Sequence, residues 1–310
     1  MSDLAIDVAG LTKTFGDKVA VNGIDLAMPR GQVWGFLGPN GSGKTTTIRM
    51  ICGLLRPTAG SGTCLGFDIL TQSEQIKLRC GYMTQRFSFW TDLTIRENLE
   101  FVARLYGLAE LAATVDATLD ELGLAHRQHQ LAGNLSGGWK QRLALAAVTM
   151  HAPEILLLDE PTAGVDPQAR RDFWDEIHRI TTEQGVTALV STHYMDEAER
   201  CDYVAYLANG DLVAQGTAQD IVAKSGLVTF RAEGAGVRAL ATRLEGQPGV
   251  ENLAYFGSAL HASGTDRARI ESAVAGAVAE GIAWREVRPT LEDAFIALTR
   301  EAGIDERLHA

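Results

Sequence analysis

The segment Gly38-Pro39-Asn40-Gly41-Ser42-Gly43-Lys44-Thr45 constrains this chain more than any other. It follows the apolar run Val33-Trp34-Gly35-Phe36-Leu37 and opens a helical pattern over 44–55. The spacing G-x-x-x-x-G-K-[ST] between strand and helix predicts a loop whose backbone N–H groups curl around phosphates, helped by the positive end of the helix dipole. Lys44 is expected to reach the β- and γ-phosphates, and the Thr45 hydroxyl to ligate magnesium. The alternative is a glycine-rich turn that only caps a helix; the strand–loop–helix order argues against it.

A second feature supports phosphate chemistry. Ile155-Leu156-Leu157-Leu158 is a buried-type strand ending in Asp159-Glu160. Adjacent carboxylates at such a tip are costly unless they face a ligand or solvent. Ligands of open α/β sheets bind at the carboxyl ends of the strands. Asp159 therefore fits a magnesium site, and Glu160 fits a base polarising an attacking water. Ser136-Gly137-Gly138 opens another helical run and forms a second anion-binding nest, although Ser-Gly-Gly by itself is a common loop.

The 310 residues suggest about two domains. Strands over 4–8, 19–26 and 33–37 precede the helix at 44–55. From about 91 to 151 the pattern is all helical, opened by a capping box at Thr94-Ile95-Arg96-Glu97 and a helix that Gly107 should stop. Strands at 155–158 and 186–191 flank a helix with Asp166 as N-cap and Pro167 at its first position. Strands interleaved with helices predict a largely parallel buried sheet. Beyond Ser225-Gly226 the order is strand 227–232, helix 237–244, strands 250–255 and 259–262, helix 266–280 and strand 282–287. That β-α-β-β-α-β succession is a ferredoxin-like unit. A last helix, capped by Thr290, covers 291–299, and 301–310 is expected to be a loose tail.

Composition narrows the function. The formal charge of −11 argues against a nucleic-acid binder, whose affinity rests on Lys and Arg neutralising phosphates. The four cysteines, Cys52, Cys64, Cys80 and Cys201, form no CxxC pair, so a reducing compartment is expected rather than a disulfide framework. The acidic start, Met1-Ser2-Asp3, does not resemble a signal peptide, and no apolar run is long enough to span a membrane.

Taken together, these motifs resemble the nucleotide-binding subunits of ATP-binding-cassette transporters over residues 4–223. The resemblance implies an α/β fold, the P-loop NTPase cassette: a central mostly parallel sheet, an antiparallel β subdomain and a helical insert. The small C-terminal α+β domain would be additional. The expected boundaries are 1–224 for the ATPase domain, with its insert at 91–151, then 225–300 and the tail. The implied cofactors are ATP and Mg²⁺. The implied ATP contacts are Phe15, Gly38, Pro39, Asn40, Gly41, Ser42, Gly43, Lys44, Thr45, Thr46, Ser136, Gly137, Gly138 and Asp166. Phe15 would stack on adenine, although a strand-edge core aromatic fits as well. Thr45, Gln85 and Asp159 would serve magnesium; Glu160, His193, Lys44 and Gln85 would serve catalysis. Asp166, in a segment that resembles the loop joining two active sites, could equally be only an N-cap, and both readings can hold together.

The resemblance further implies a second copy, or a paralogous cassette, in an ATP-sandwich dimer. Membrane permease subunits would dock near Gln85–Trp90 and the helical subdomain, with Phe87, Phe89 and Trp90 as groove residues or, alternatively, core anchors. That places the chain on the cytoplasmic face of the membrane as a peripheral subunit. Pro289-Thr290-Leu291-Glu292-Asp293-Ala294-Phe295 and the preceding α+β unit are similar to the ends of drug- and polysaccharide-export ATPases. Trp139 departs from the pattern, which usually has Gln after Leu-Ser-Gly-Gly. The rival reading is a soluble cassette acting on ribosomes; such proteins usually carry two cassettes and a basic linker.

Overall fold

The computed structural model describes residues 3–85, 88–234, 236–277 and 282–301. The chain divides into two compact units, Met1–Leu212 and Val213–Ala310. This division falls earlier than the compositional change at Ser225-Gly226.

The first unit opens with β1 (Leu4–Phe15) and β2 (Lys18–Pro29), a long antiparallel hairpin turned at Gly16 with φ 56°. Along β2, Val21, Ile24, Leu26 and Met28 are buried between exposed neighbours, so one face meets the core and the other meets water. β3 (Val33–Leu37) leads into α1 (Lys44–Ile51). The helix stops at 51, short of the expected 55, because Gly53 adopts φ 69° and sits against Ser73, where a Cβ would lie 2.6 Å from the serine Cβ. β4 (Ala59–Cys64), β5 (Phe67–Asp68), α2 (Ser73–Lys77) and β6 (Cys80–Met83) follow. The antiparallel sheet has the order β2-β1-β4-β5.

The helical insert comprises α3 (Ile95–Leu105), α4 (Leu111–Glu121) and α5 (Gly137–Thr149). The capping box at Thr94 and Glu97 is formed, and Gly107 (φ 65°) follows the end of α3. Ile95, Leu99, Val115, Leu119, Leu143 and Ala147 make this subdomain's own core. The chain returns through β7 (Ile155–Asp159), α6 (Pro167–Gln184), β8 (Thr187–Thr192), α7 (Met195–Ala198), β9 (Tyr203–Ala208) and β10 (Asp211–Gly216). The central sheet has the order β10-β9-β3-β8-β7-β6, and β9, β3, β8, β7 and β6 pair in parallel. Every residue of β3, β7 and β8 is buried, which explains their continuous apolar runs.

The second unit contains α8 (Ala218–Lys224), β11 (Val228–Glu233), α9 (Val237–Leu244), β12 (Asn252–Phe256), β13 (Ala259–Gly264), α10 (Arg267–Gly276), β14 (Arg285–Val287) and α11 (Leu291–Glu301). From β11 to β14 the succession is β-α-β-β-α-β, and the antiparallel sheet runs β12-β13-β11-β14, the ferredoxin-like order. α10 ends at Gly276, before the expected 280; positions 278–281 and 302–310, including most of the expected tail, lie outside the described residues. Thr290 and Asp293 cap α11 through Thr290 Oγ1, which accepts from the Asp293 N–H at 3.1 Å.

All four cysteines are buried and free. Burial pushes the Cys52 thiol up to about 11 and the Cys64 thiol up to about 12. At pH 8 their thiolate fraction is then on the order of 10⁻³ or less, and access is closed as well. The folded chain is expected to leave all four thiols unmodified by an aromatic disulfide reagent over an hour at pH 8, and to react fully once denatured. A thiol that reacts quickly in the native state would contradict this burial.

Candidate functional site

Strand register assembles the site. Leu37 of β3 pairs with Thr192 of β8, Asp159 of β7 with Ser191, and Met83 of β6 with Leu158. The loop 38–43, the acids 159–160, Gln85 and His193 therefore leave the sheet at one carboxyl edge, where ligands of such sheets bind.

The phosphate loop needs its glycines for space and for conformation. Gly38 has φ 150°, and a Cβ there would lie 2.0 Å from the Leu207 carbonyl. Gly43 has φ 103°, and its Cβ would lie 2.6 Å from the Ala20 carbonyl. The back of the loop is held by Gly210 N–H donating to Ser42 O at 3.1 Å, and Gly210 O accepts from Asn22 N–H at 2.9 Å. Lys44 is 4% exposed and donates from Nζ to Gly38 O (2.7 Å) and Pro39 O (3.0 Å). Burial lowers the Lys44 ammonium from its ordinary value, opposed by Glu160 and Asp159.

The two acids are held differently. Asp159, 2% exposed, accepts at Oδ1 from Thr45 Oγ1 and Ser191 Oγ, both at 2.8 Å. Glu160 has φ 46°, a left-handed conformation that costs a residue with a side chain about 1–3 kcal/mol. Its N–H donates to Ser191 Oγ (2.9 Å) and O (3.2 Å), which holds the bend in place. The bend brings its carboxylate to Gln85 Nε2 (2.9 Å), Lys44 Nζ (3.5 Å) and His193 Nδ1 (3.5 Å). A carboxylate so surrounded by donors is fixed in direction and ready to orient a water.

A cavity of about 460 Å³ adjoins these groups, lined by Phe15, Lys18, Ala20, Asn40, Gly41, Gly43, Lys44, Thr45, Thr46, Gln85 and Glu160. Phe15 is 52% exposed, with Lys13 Nζ 5.2 Å from its ring centre, so here it is no core residue. Gly38, Pro39, Ser42, Asp159 and His193 stand behind or beside that lining. Ser136, Gly137, Gly138 and Asp166 do not line it. They lie together elsewhere: Gly138 faces Ala169 and Asp166, and a Cβ on it would come within 2.6 Å of the Ala169 Cβ. Asp166 accepts from the Gln168 and Ala169 N–H groups as the N-cap of α6. Trp139 turns its ring toward the helical core, between Arg142 (5.0 Å) and Arg127 (6.0 Å).

Sequence reasoning missed Ser191, whose hydroxyl ties both acids together, and Glu197, which accepts from Thr162 and Thr192. Ser191 and Thr192 form a hydroxyl pair at the end of an apolar strand, and that was the available signal. A second cavity, about 490 Å³, lies between α4, α5 and α6 and holds none of the expected site residues.

Fold and site together define a phosphate-loop nucleotide-binding cassette. The ABC transporter family matches residues 21–163. The daunorubicin resistance ATP-binding protein DrrA3 of Streptomyces coeruleorubidus is 38% identical over 319 residues, covering 99% of this chain and 99% of its own. The probable multidrug ABC transporter ATP-binding protein YbhF of Escherichia coli (strain K12) is 44% identical over 225 residues. That match covers 72% of this chain, which spans only 39% of YbhF. The solved structure of cbiO1 from Clostridium perfringens, part of the ABC transporter complex cbiONQ, superposes with a TM-score of 0.65 at 27% identity, covering 79% of this chain and 97% of that one. The chain belongs to the ABC transporter family.

Proposed function

We propose that this chain binds ATP beside the phosphate loop and hydrolyses it between two cassettes, energising export of a substrate through a separate membrane permease. One observation carries the reading. Lys44, Thr45, Gln85, Asp159, Glu160 and His193 meet at one sheet edge, while the second anion nest, Ser136-Gly137-Gly138, lies against Gly164 and the start of α6 at Asp166 and Ala169 of the same chain. A γ-phosphate in the cavity would be clamped from one side only. A second copy, or a paralogous cassette, turning its nest toward that phosphate would complete the donors and exclude water. Loss of the γ-phosphate then removes the shared contact and releases the pair, so ATP acts as a switchable link.

Within the site, Lys44 would hold the β- and γ-phosphates, Phe15 would stack on adenine, and Asp166 would face the second copy. Glu160 would accept the proton of the attacking water, with Gln85 and His193 fixing its direction. The residues fit magnesium: Thr45 hydroxyl, Asp159 carboxylate and the nearby Gln85 amide are hard oxygen donors. Among the described residues no cluster of three or more His, Cys, Asp or Glu is placed to hold a metal ion. When bound, magnesium neutralises the charge of the transferring phosphoryl group.

No helix among the described residues is long and apolar enough to cross a membrane. In the proposed assembly the substrate path would lie in the permease. Trp90 (45% exposed) and Phe101 (40% exposed) stack edge-on at 4.3 Å, with Leu105 and Leu131 also exposed on the helical subdomain. Asn98, fully buried, holds the Trp90 backbone at both N–H and C=O, each at 3.0 Å. This fixed apolar surface suits a permease helix. Phe89 packs instead against the helical core, and Arg86 and Phe87 lie outside the described residues. The names of DrrA3 and YbhF support drug-like cargo and outward transport, since resistance by transport requires removal of the drug from the cell; lipid or polysaccharide-like cargo fits the same architecture. The subunit would sit on the cytoplasmic face of the membrane.

A tagged copy is expected to bring an integral-membrane permease out of solubilised cells; recovery of ribosomes instead would favour the rival class. Replacing Trp90 and Phe101 by alanine is expected to lower transport at least about tenfold while basal phosphate release stays within twofold. Loss of folding in that variant, seen by circular dichroism, would make both residues core anchors instead.

A further inference from the structure

One buried carboxylate is tied to three separate segments of the site and has no role in the chemistry above. Glu197, in α7, is 1% exposed. Its Oε1 accepts from Thr162 Oγ1 at 2.5 Å and its Oε2 from Thr192 Oγ1 at 2.6 Å; Arg170 Nε lies 3.4 Å from Oε1. Thr162 lies two positions beyond Glu160, and Thr192 immediately precedes His193. Arg170 stands in the first turn of α6, where its N–H donates to Asp166 O at 3.0 Å. Its guanidinium covers the Tyr194 ring at 4.1 Å, and that ring lies 4.1 Å from the His193 ring.

A carboxylate taken out of water is expensive unless its partners are well placed, and removing one partner leaves the charge uncompensated. Here the partners come from the loop after β7, the end of β8 and the start of α6. Their placement therefore fixes those three segments relative to one another.

We propose that Glu197 is a positioning residue that, through Thr162, Thr192 and the Arg170–Tyr194 stack, holds Glu160, His193 and Asp166 as one rigid group. The consequence rests on the functional reading above: the γ-phosphate side of the site and the face turned to the second copy would shift together. Glu197 itself is 1% exposed and does not line the cavity beside the phosphate loop.

The test compares Glu197→Ala, Glu197→Gln and Tyr194→Leu in the full chain. Glu197→Ala is expected to lower kcat for ATP at least tenfold while the Kd for a fluorescent ATP analogue changes less than threefold. Glu197→Gln, whose carbonyl and amide can each still meet one threonine hydroxyl, is expected to recover a substantial part of kcat. Tyr194→Leu, at a half-buried position, is expected to lower kcat about fivefold without shifting the melting temperature, and it decides the matter should Glu197→Ala fail to fold. Amide hydrogen exchange supplies a readout independent of turnover: protection over 160–166 and 192–196 should fall together in Glu197→Ala or, failing that, in Tyr194→Leu. Wild-type turnover in Tyr194→Leu, or loss of protection in only one of the two segments, overturns the proposal. A wild-type chain that never releases phosphate overturns the functional reading instead, and exchange still decides whether Glu197 joins the segments.

Discussion

Glu160→Gln is expected to lower steady-state ATP hydrolysis by about 10²–10⁴, the range for loss of a general base. The substitution is nearly isosteric. The Gln85 amide at 2.9 Å and His193 at 3.5 Å would still meet an oxygen, and the backbone bonds from position 160 to Ser191 do not involve the side chain. What disappears is the negative charge beside Lys44 and the capacity to take a proton from water. Binding is therefore spared and chemistry is lost, so an ATP-bound dimer should accumulate. Phosphate release and size-exclusion chromatography with ATP measure the two consequences. Turnover at the wild-type rate would remove Glu160 from the role of base.

Lys44→Ala acts one step earlier. The ammonium is almost fully enclosed, and desolvation already lowers its affinity for the proton. An incoming phosphate would add a close charge partner to the loop carbonyls of Gly38 and Pro39 and to Glu160 at 3.5 Å. A hydrogen bond to a charged group contributes about 1.5–3 kcal/mol, so ATP affinity should fall roughly 10- to 150-fold. Isothermal titration with ATP measures this directly. Unchanged affinity would contradict the assignment of Lys44 to the phosphates.

The two variants separate the parts of the site. One should bind nucleotide and fail to cleave it; the other should fail to capture it. A chain in which both retained full activity would have its chemistry elsewhere in the fold.

Much of this was legible in the residues because the relevant signals are local. Gly43 is required by the loop's own backbone angle, the Thr94–Glu97 and Asp166 caps close within three residues, and the β-α-β-β-α-β succession follows from hydrophobic periodicity. The helix ends were less legible: α1 stops at Ile51 because Gly53 just beyond it sits against Ser73, which no pattern within the helix announces. β6, β9 and β10, left unassigned in the sequence, are short runs that become strands by pairing in the central sheet.

The sequence by itself determined the phosphate loop, the acid pair at a strand tip and the ferredoxin-like order of the C-terminal unit. Those depend on backbone conformations and alternations spanning a few residues. Only the tertiary structure decided that Thr45 meets Asp159 across 114 positions, that Ser191 bridges both acids, and that Glu197 gathers Thr162, Thr192 and Arg170. It also turned Trp139 into its own helical core and kept the Ser136–Gly138 nest away from its own phosphate loop. The physical reason is parallel register: strands far apart in the chain are aligned by crossover helices, and side-chain partners are chosen by that alignment rather than by proximity in sequence.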